Sequence, residues 1–117
     1  MALNTAALNA ATSAVIAVAT HIQLHSGDPT TAGTANVTSH ARVAAGWPAP
    51  TNGISTVTNK AFTGGAASGA VTWVSFWSAS TAGTCYGTQQ IPTAPPNDLA
   101  SNAAGQYNLT SAAIGFA

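Results

Sequence analysis

The sequence predicts a mostly β domain, a small β-sandwich or jelly-roll-like unit with a short N-terminal helix. Short segments of alternating side chains recur along the chain at near-regular spacing. Turn signals rich in Gly and Pro, such as Ser26-Gly27-Asp28-Pro29 and Asn52-Gly53, separate those segments. Helical spacing is confined to the stretch before His21.

The elements follow in order. Asn4 or Thr5 can cap a helix start. Leu8, Ala11, Val15 and Val18 then fall three or four residues apart and make one narrow apolar stripe. The stripe is Ala-rich, so it allows close approach but little buried area, and such a helix is expected to need a partner surface. Val15-Ile16-Ala17-Val18 is β-branched enough to begin a strand instead. His21-Ile22-Gln23-Leu24-His25 reads as a strand, closed by the turn at Ser26 to Pro29. Thr30 to Thr38 is a loop of small residues, and Ala41 to Ala45 is a short strand candidate.

Pro48, Pro50 and Asn52-Gly53 break the chain before Ile54 to Phe62 alternates again. Val71 to Ser78 is the strongest strand. Val71, Trp73, Ser75 and Trp77 share one face, and Thr72, Val74, Phe76 and Ser78 the other. Large apolar groups on both faces predict cover on both sides. Thr84 to Ile91 is the next strand, Pro92, Pro95 and Pro96 enforce an irregular crossing, and Gln106 to Thr110 is the last strand before a tail over Ser111 to Ala117. One domain is expected over residues 1–117, with a helical arm over 1–20 and the sandwich over 21–117; no repeat or long linker divides it.

Composition removes several functions. Charged residues are 3% of the 117, with Arg42 and Lys60 the strong bases, Asp28 and Asp98 the acids, and a net charge of zero. Two bases cannot neutralise a run of phosphates, so nucleic-acid binding through the backbone is not expected, nor is a polybasic membrane surface. The 46% hydrophobic fraction is inflated by 27 Ala, so the large side chains available for a core are few. A neutral surface of small residues is poorly protected against association, which points to an assembled subunit, a homo-oligomer. The run from Ala14 to Ala19 is too short to span a membrane and has no basic flank of the kind that marks a signal peptide. Cys85 is alone, so it has no intrachain disulfide partner, which fits synthesis in a reducing cytoplasm.

Candidate chemistry is thin. Asp28 and Asp98 sit in turn contexts, where a carboxylate ordinarily bonds to nearby backbone rather than titrating as an acid–base pair. Ser26, His25 and Asp28 are neighbours in one turn and cannot also form an oxyanion hole. His21, His25 and His40 lack an evident further ligand and read as hydrogen-bonding residues. Cys85 reads as a small buried hydrophobe. No catalytic residue, cofactor or metal is therefore expected. Trp47, Trp73 and Trp77 could build a sugar platform, but Trp73 and Trp77 alternate within the strongest strand and read as core. Thr56-Val57-Thr58 alone is too little for the regular Thr array of an ice-binding face. The candidate interface residues are Leu8, Ala11 and Val15 on the helix stripe, with Trp47 in its loop as an anchor.

Several motifs occur in series: Leu24-His25-Ser26-Gly27-Asp28-Pro29, Ala41-Arg42, Asn59-Lys60-Ala61, Val71 to Trp77 followed by Ser78-Ala79, and Gly83-Thr84 to Gly87. In that order, over roughly residues 3–110, the chain resembles the small virion proteins of actinobacteriophages and related tailed phages, which carry minor-tail, tail-fibre or capsid-decoration labels. Ser26-Gly27 stands where Thr-Ala is usual, His40 where Tyr is common, and Ser75-Phe76-Trp77 in place of Gly-Leu-Trp. The resemblance implies a non-enzymatic structural protein of the virion, made in the host cytoplasm, with the major capsid protein or tail proteins as partners. The compact single domain favours capsid decoration by cementing shell subunits. A minor tail or tail-fibre role is the alternative, and a glycan- or ice-binding module a remote one.

Overall fold

A computed structural model describes residues 2–93 and 97–116. It contains one helix and two antiparallel sheets, so the mostly β expectation holds. In chain order the elements are α1 (Thr5–Ile16), β1 (His21–His25), β2 (Val43–Ala44), β3 (Ile54–Phe62), β4 (Trp73–Trp77), β5 (Cys85–Gln90) and β6 (Tyr107–Gly115). Four strands form one sheet in the order β2-β1-β4-β5, and β3 pairs with β6 in a second; among the described residues they do not close into a barrel.

Helix α1 begins where the sequence places it. The Asn4 side chain accepts a hydrogen bond from the Ala7 N–H at 2.9 Å, satisfying one of the free donors of the first turn. The Val15-Ile16 pair remains helical, and Val18 lies beyond the helix and is exposed. The chain then turns through buried Ala19 into β1.

One core cluster joins the sheets. Ile22 and Leu24 of β1 and Val74 and Phe76 of β4 pack against Val57 and Phe62 of β3 and Leu109 and Ala112 of β6. The two β1 residues lie directly across from the two of β4, Ile22 from Phe76 and Leu24 from Val74, so all four share one face.

Two features differ from the sequence expectation. Strand β6 continues through Gly115 instead of ending at Thr110, because Ser111 to Gly115 pairs with Ile54 to Thr58. Alternation is also not uniform along β3. Ser55 and Val57 point inward, yet so does Phe62, an odd number of residues later. Asn59 sits at φ 53°, in the left-handed region, and absorbs the inversion. Facing it, β6 changes parity in the same way between Leu109 and Ala112. Asn tolerates that φ better than most residues because its short polar side chain can bond locally.

Candidate assembly surface and the buried polar layer

Strand β4 is covered on both faces, as its side chains predict. The apolar face meets the second sheet. The other face, which carries Gln23, His25, Ser75 and Trp77, lies under the segment from Ser26 to Arg42. That segment is built from local bonds. Asp28 Oδ1 accepts from the Thr30 N–H at 2.9 Å, the Asn36 side-chain amide donates to the Asp28 carbonyl, and Pro29 is buried. Asp28 is therefore a turn residue. Gly33 adopts φ 71°, and a Cβ there would lie 2.6 Å from Cys85 Sγ and 3.1 Å from a Trp77 ring carbon. Glycine at this position meets both the backbone and the packing requirement.

Beneath the segment runs a directed hydrogen-bond chain. Trp77 Nε1–H can only donate, and it donates to Ser75 Oγ at 2.7 Å. His25 Nδ1 faces the Ala35 carbonyl at 2.8 Å, so that nitrogen carries the proton. Ser75 O–H is left to donate to His25 Nε2 at 2.6 Å. Ser75 and His25 are fully buried. Burial, and secondarily the charge of Arg42, holds His25 below the usual histidine pKa; the Ala35 carbonyl opposes that shift.

Arg42 closes the layer. Its Nε donates to Gln23 Oε1 at 2.9 Å, one terminal nitrogen donates to the Ala79 and Ala82 carbonyls, and its guanidinium lies 4.1 Å from the centre of the Trp77 ring. The sequence marks Arg42 as one of two strong bases and as part of the Ala41-Arg42 motif. Its several contacts come from segments distant along the chain, and no local pattern signals them.

A second buried histidine, His40, is bracketed by Thr38 Oγ1 at Nδ1 and Ser101 Oγ at Nε2, each 2.8 Å away. Burial lowers its pKa, against an opposing hydrogen bond to the Gly105 backbone. Both Ser–His pairs resemble nucleophile–base pairs on distance alone. Their serines are buried, and both ring nitrogens of each histidine are already engaged, so the arrangement ties segments together. His21 is half-buried and bonds Thr20. Among the described residues no three metal-ligating side chains come together.

A cleft of about 500 Å³ is lined by Asp98, Asn102, Gln106, Asn108 and neighbours. Asp98 is the only carboxylate in that lining, and its backbone carbonyl accepts from Tyr107 Oη at 2.6 Å. Burial and then the Asp98 charge push the Tyr107 phenol up to about 12. Cys85 is half-buried, and its thiol contacts the Gly87 carbonyl at 3.5 Å.

The expected interface residues are placed as follows. Leu8, Ala11 and Val15 lie half-buried on the α1 face that meets the chain's own second sheet. Around them, Asn9 Oδ1 accepts from the Gly53 N–H at 2.7 Å, and buried Thr12 donates its hydroxyl to the Gly53 carbonyl. The helix is thus fastened to the turn before β3 through both backbone groups of one glycine. Trp47 donates Nε1–H to the Ala19 carbonyl at 2.7 Å and stands edge-on to Phe76, with ring centres 5.5 Å apart. Val15 and Trp47 therefore extend the core, and Val15 also lines an open apolar groove with Tyr86, Ile114 and Phe116. Trp73 is half-buried and Trp77 is buried beneath Arg42, so they do not form a shared exposed platform.

Among the described residues no helix is long and apolar enough to cross a membrane. Residues 2–110 match the family model described as Podophage GP4 fiber I protein gp80. No curated protein and no solved structure matches the chain.

Proposed function

This chain belongs to the Podophage GP4 fiber I protein gp80 family, among the virion proteins of tailed phages, and from that premise we propose that it is a non-enzymatic subunit of the tail fibre. The family match over residues 2–110 carries the reading and favours the tail-fibre alternative over capsid decoration. Compactness, which favoured the capsid, is a property of the domain and carries no information about where it is mounted.

The subunit's role is to make contacts. Its partners are tail proteins and copies of itself, and the contacts are apolar and hydrogen-bonded, with weak dependence on salt. The engagement of both Ser–His pairs supports the non-enzymatic reading. With Arg42 tied to Gln23, Ala79 and Ala82, Lys60 is the strong base left for a phosphate, which supports a role without nucleic acid.

Immunogold labelling of intact virions with an antibody to this chain tests the location, with tail-depleted heads labelled in parallel. Gold on fibres and none on heads is expected. Gold confined to heads would overturn the tail reading and restore capsid decoration.

A further inference from the structure

The turn before β3 holds the one Asn-Gly pair of the sequence, Asn52-Gly53. It is a tight two-residue turn. Thr51 and Ile54 exchange both backbone hydrogen bonds, at 2.8 and 3.0 Å, and Asn52 and Gly53 sit at φ 51° and 79°. Asn52 is exposed, whereas Gly53 is buried. Helix α1 and the end of β6 cover Gly53: a Cβ there would run into the Phe116 carbonyl and lie 2.9 Å from Leu8 Cβ. Both of its backbone groups are taken. The N–H donates to Asn9 Oδ1 at 2.7 Å, and the carbonyl accepts from the Thr12 hydroxyl and the Phe116 N–H.

Asn-Gly is a reactive pair in water. Glycine has no side chain to hinder its own nitrogen, so that nitrogen can reach the asparagine Cγ. A C–N bond forms between the glycine nitrogen and Cγ, the Cγ–Nδ2 bond breaks, and ammonia leaves with the proton that the backbone N–H gives up. The five-membered imide then takes up one water. Opening on the Cγ side gives Asp. Opening on the backbone side gives isoaspartate, which carries an extra methylene in the main chain. The sequence of steps needs no oxidant or reductant.

In the docked fold the first step is closed. The Gly53 nitrogen must shed its proton and swing toward Asn52 Cγ. Asn9 holds that proton away from water, and the swing breaks the Asn9 bond together with the Thr51–Ile54 pair. The guard itself is lightly held, because Thr12 is the one buried residue of α1. We propose that Asn52-Gly53 is a deamidation site guarded by helix α1: water converts it once the helix lifts, and the isoaspartate product cannot re-seat the helix. A lengthened turn cannot keep the Thr51–Ile54 pair and also present both Gly53 groups to Asn9 and Thr12. Lifting of α1, reversible at first, thereby becomes permanent. The chemistry belongs to the chain itself and is independent of where in the virion it is mounted.

Ageing the full chain in mildly alkaline buffer, native and in guanidinium chloride, tests this. Trypsin cuts after Arg42 and Lys60 and releases residues 43–60. Mass spectrometry of that peptide reads the deamidation, and its fragment ions separate Asn52 from Asn59. The native chain should convert at least about tenfold more slowly than the denatured one. Asn9→Ala removes the acceptor of the Gly53 N–H and should speed native conversion by roughly two- to tenfold; Asn9→Asp keeps an acceptor and should not. After ageing and refolding, the isoaspartate-bearing chain should show α1 amides open to hydrogen exchange. Asn52→Asp, with the charge but not the methylene, should keep them protected. Equal conversion in native and denatured chains, an unchanged native rate in folded Asn9→Ala, or α1 amides as protected in the aged chain as in the fresh one would overturn the proposal. The native–denatured comparison uses no substitution, so it decides the guard even where Asn9→Ala does not fold.

Discussion

Replacing Ser75 with Ala should expose the energetic weight of the layer beneath the Ser26–Arg42 segment. The Ser75 hydroxyl is fully buried and serves two partners, accepting from Trp77 Nε1–H and donating to His25 Nε2. Ser75→Ala leaves a buried donor and a buried acceptor without partners, at about 1–3 kcal/mol each, or roughly 2–6 kcal/mol together. Small domains have about 5–15 kcal/mol in all, so the substitution should remove a large fraction of the stability. Urea unfolding followed by Trp fluorescence should show a lower midpoint with an unchanged slope, since the same surface is exposed on unfolding. The pair Ser75→Ala and Trp77→Phe separates the two orphaned groups. In the Trp77→Phe background the indole donor is already gone, so Ser75→Ala should cost only the histidine acceptor, about 1–3 kcal/mol. A loss under about 0.5 kcal/mol for Ser75→Ala alone, the size of an ordinary surface change, would refute the directed hydrogen-bond chain.

Acid should weaken the fold. His25 and His40 both have folded pKa values below about 6.5, the value of an unfolded histidine, so the unfolded chain takes up protons first as pH falls. Stability should be fully present above that value and decline as pH falls through it toward the folded pKa values; a urea midpoint equal at pH 8 and pH 5 would contradict this. Gly33→Ala should destabilise by about 1–3 kcal/mol, because the new Cβ meets Cys85 and Trp77 at a left-handed φ; calorimetry measures it, and an unchanged melting temperature would count against the packing. Trp77→Ala should cost about 3–5 kcal/mol, and a variant that melts like the parent would mean the ring is not core. Asp28→Asn should leave melting and assembly unchanged, since an Asn oxygen can accept the same bond from the Thr30 N–H; loss of assembly with the fold kept would point to an ionic contact.

Local chemistry was legible without coordinates. Asn4 caps the helix, Asp28 closes a turn with Thr30, the alternation over Ile54–Phe62 marks a strand, and large groups on both faces of Val71–Ser78 require a doubly covered strand. Each is a matter of what a residue's own backbone and near neighbours permit. The near absence of charge is as local a fact, and it carries the expectation of a contact-making subunit that does not track phosphates.

Contacts between distant segments decided the rest. The parity change at Asn59, the pairing of Ser111–Gly115 with β3, the fastening of α1 through Gly53, and the convergence of Gln23, Arg42 and Trp77 each join residues far apart in sequence. The small, Ala-rich tail shows no strand pattern of its own; it becomes a strand because β3 offers it a ladder. Arg42 shows the same division. In the sequence it is one of two strong bases, and its role inside the fold comes from carbonyls at Ala79 and Ala82 that chain folding alone brings within reach. A local pattern records a residue's preferences, whereas register and buried hydrogen bonding depend on which partner segment folding delivers.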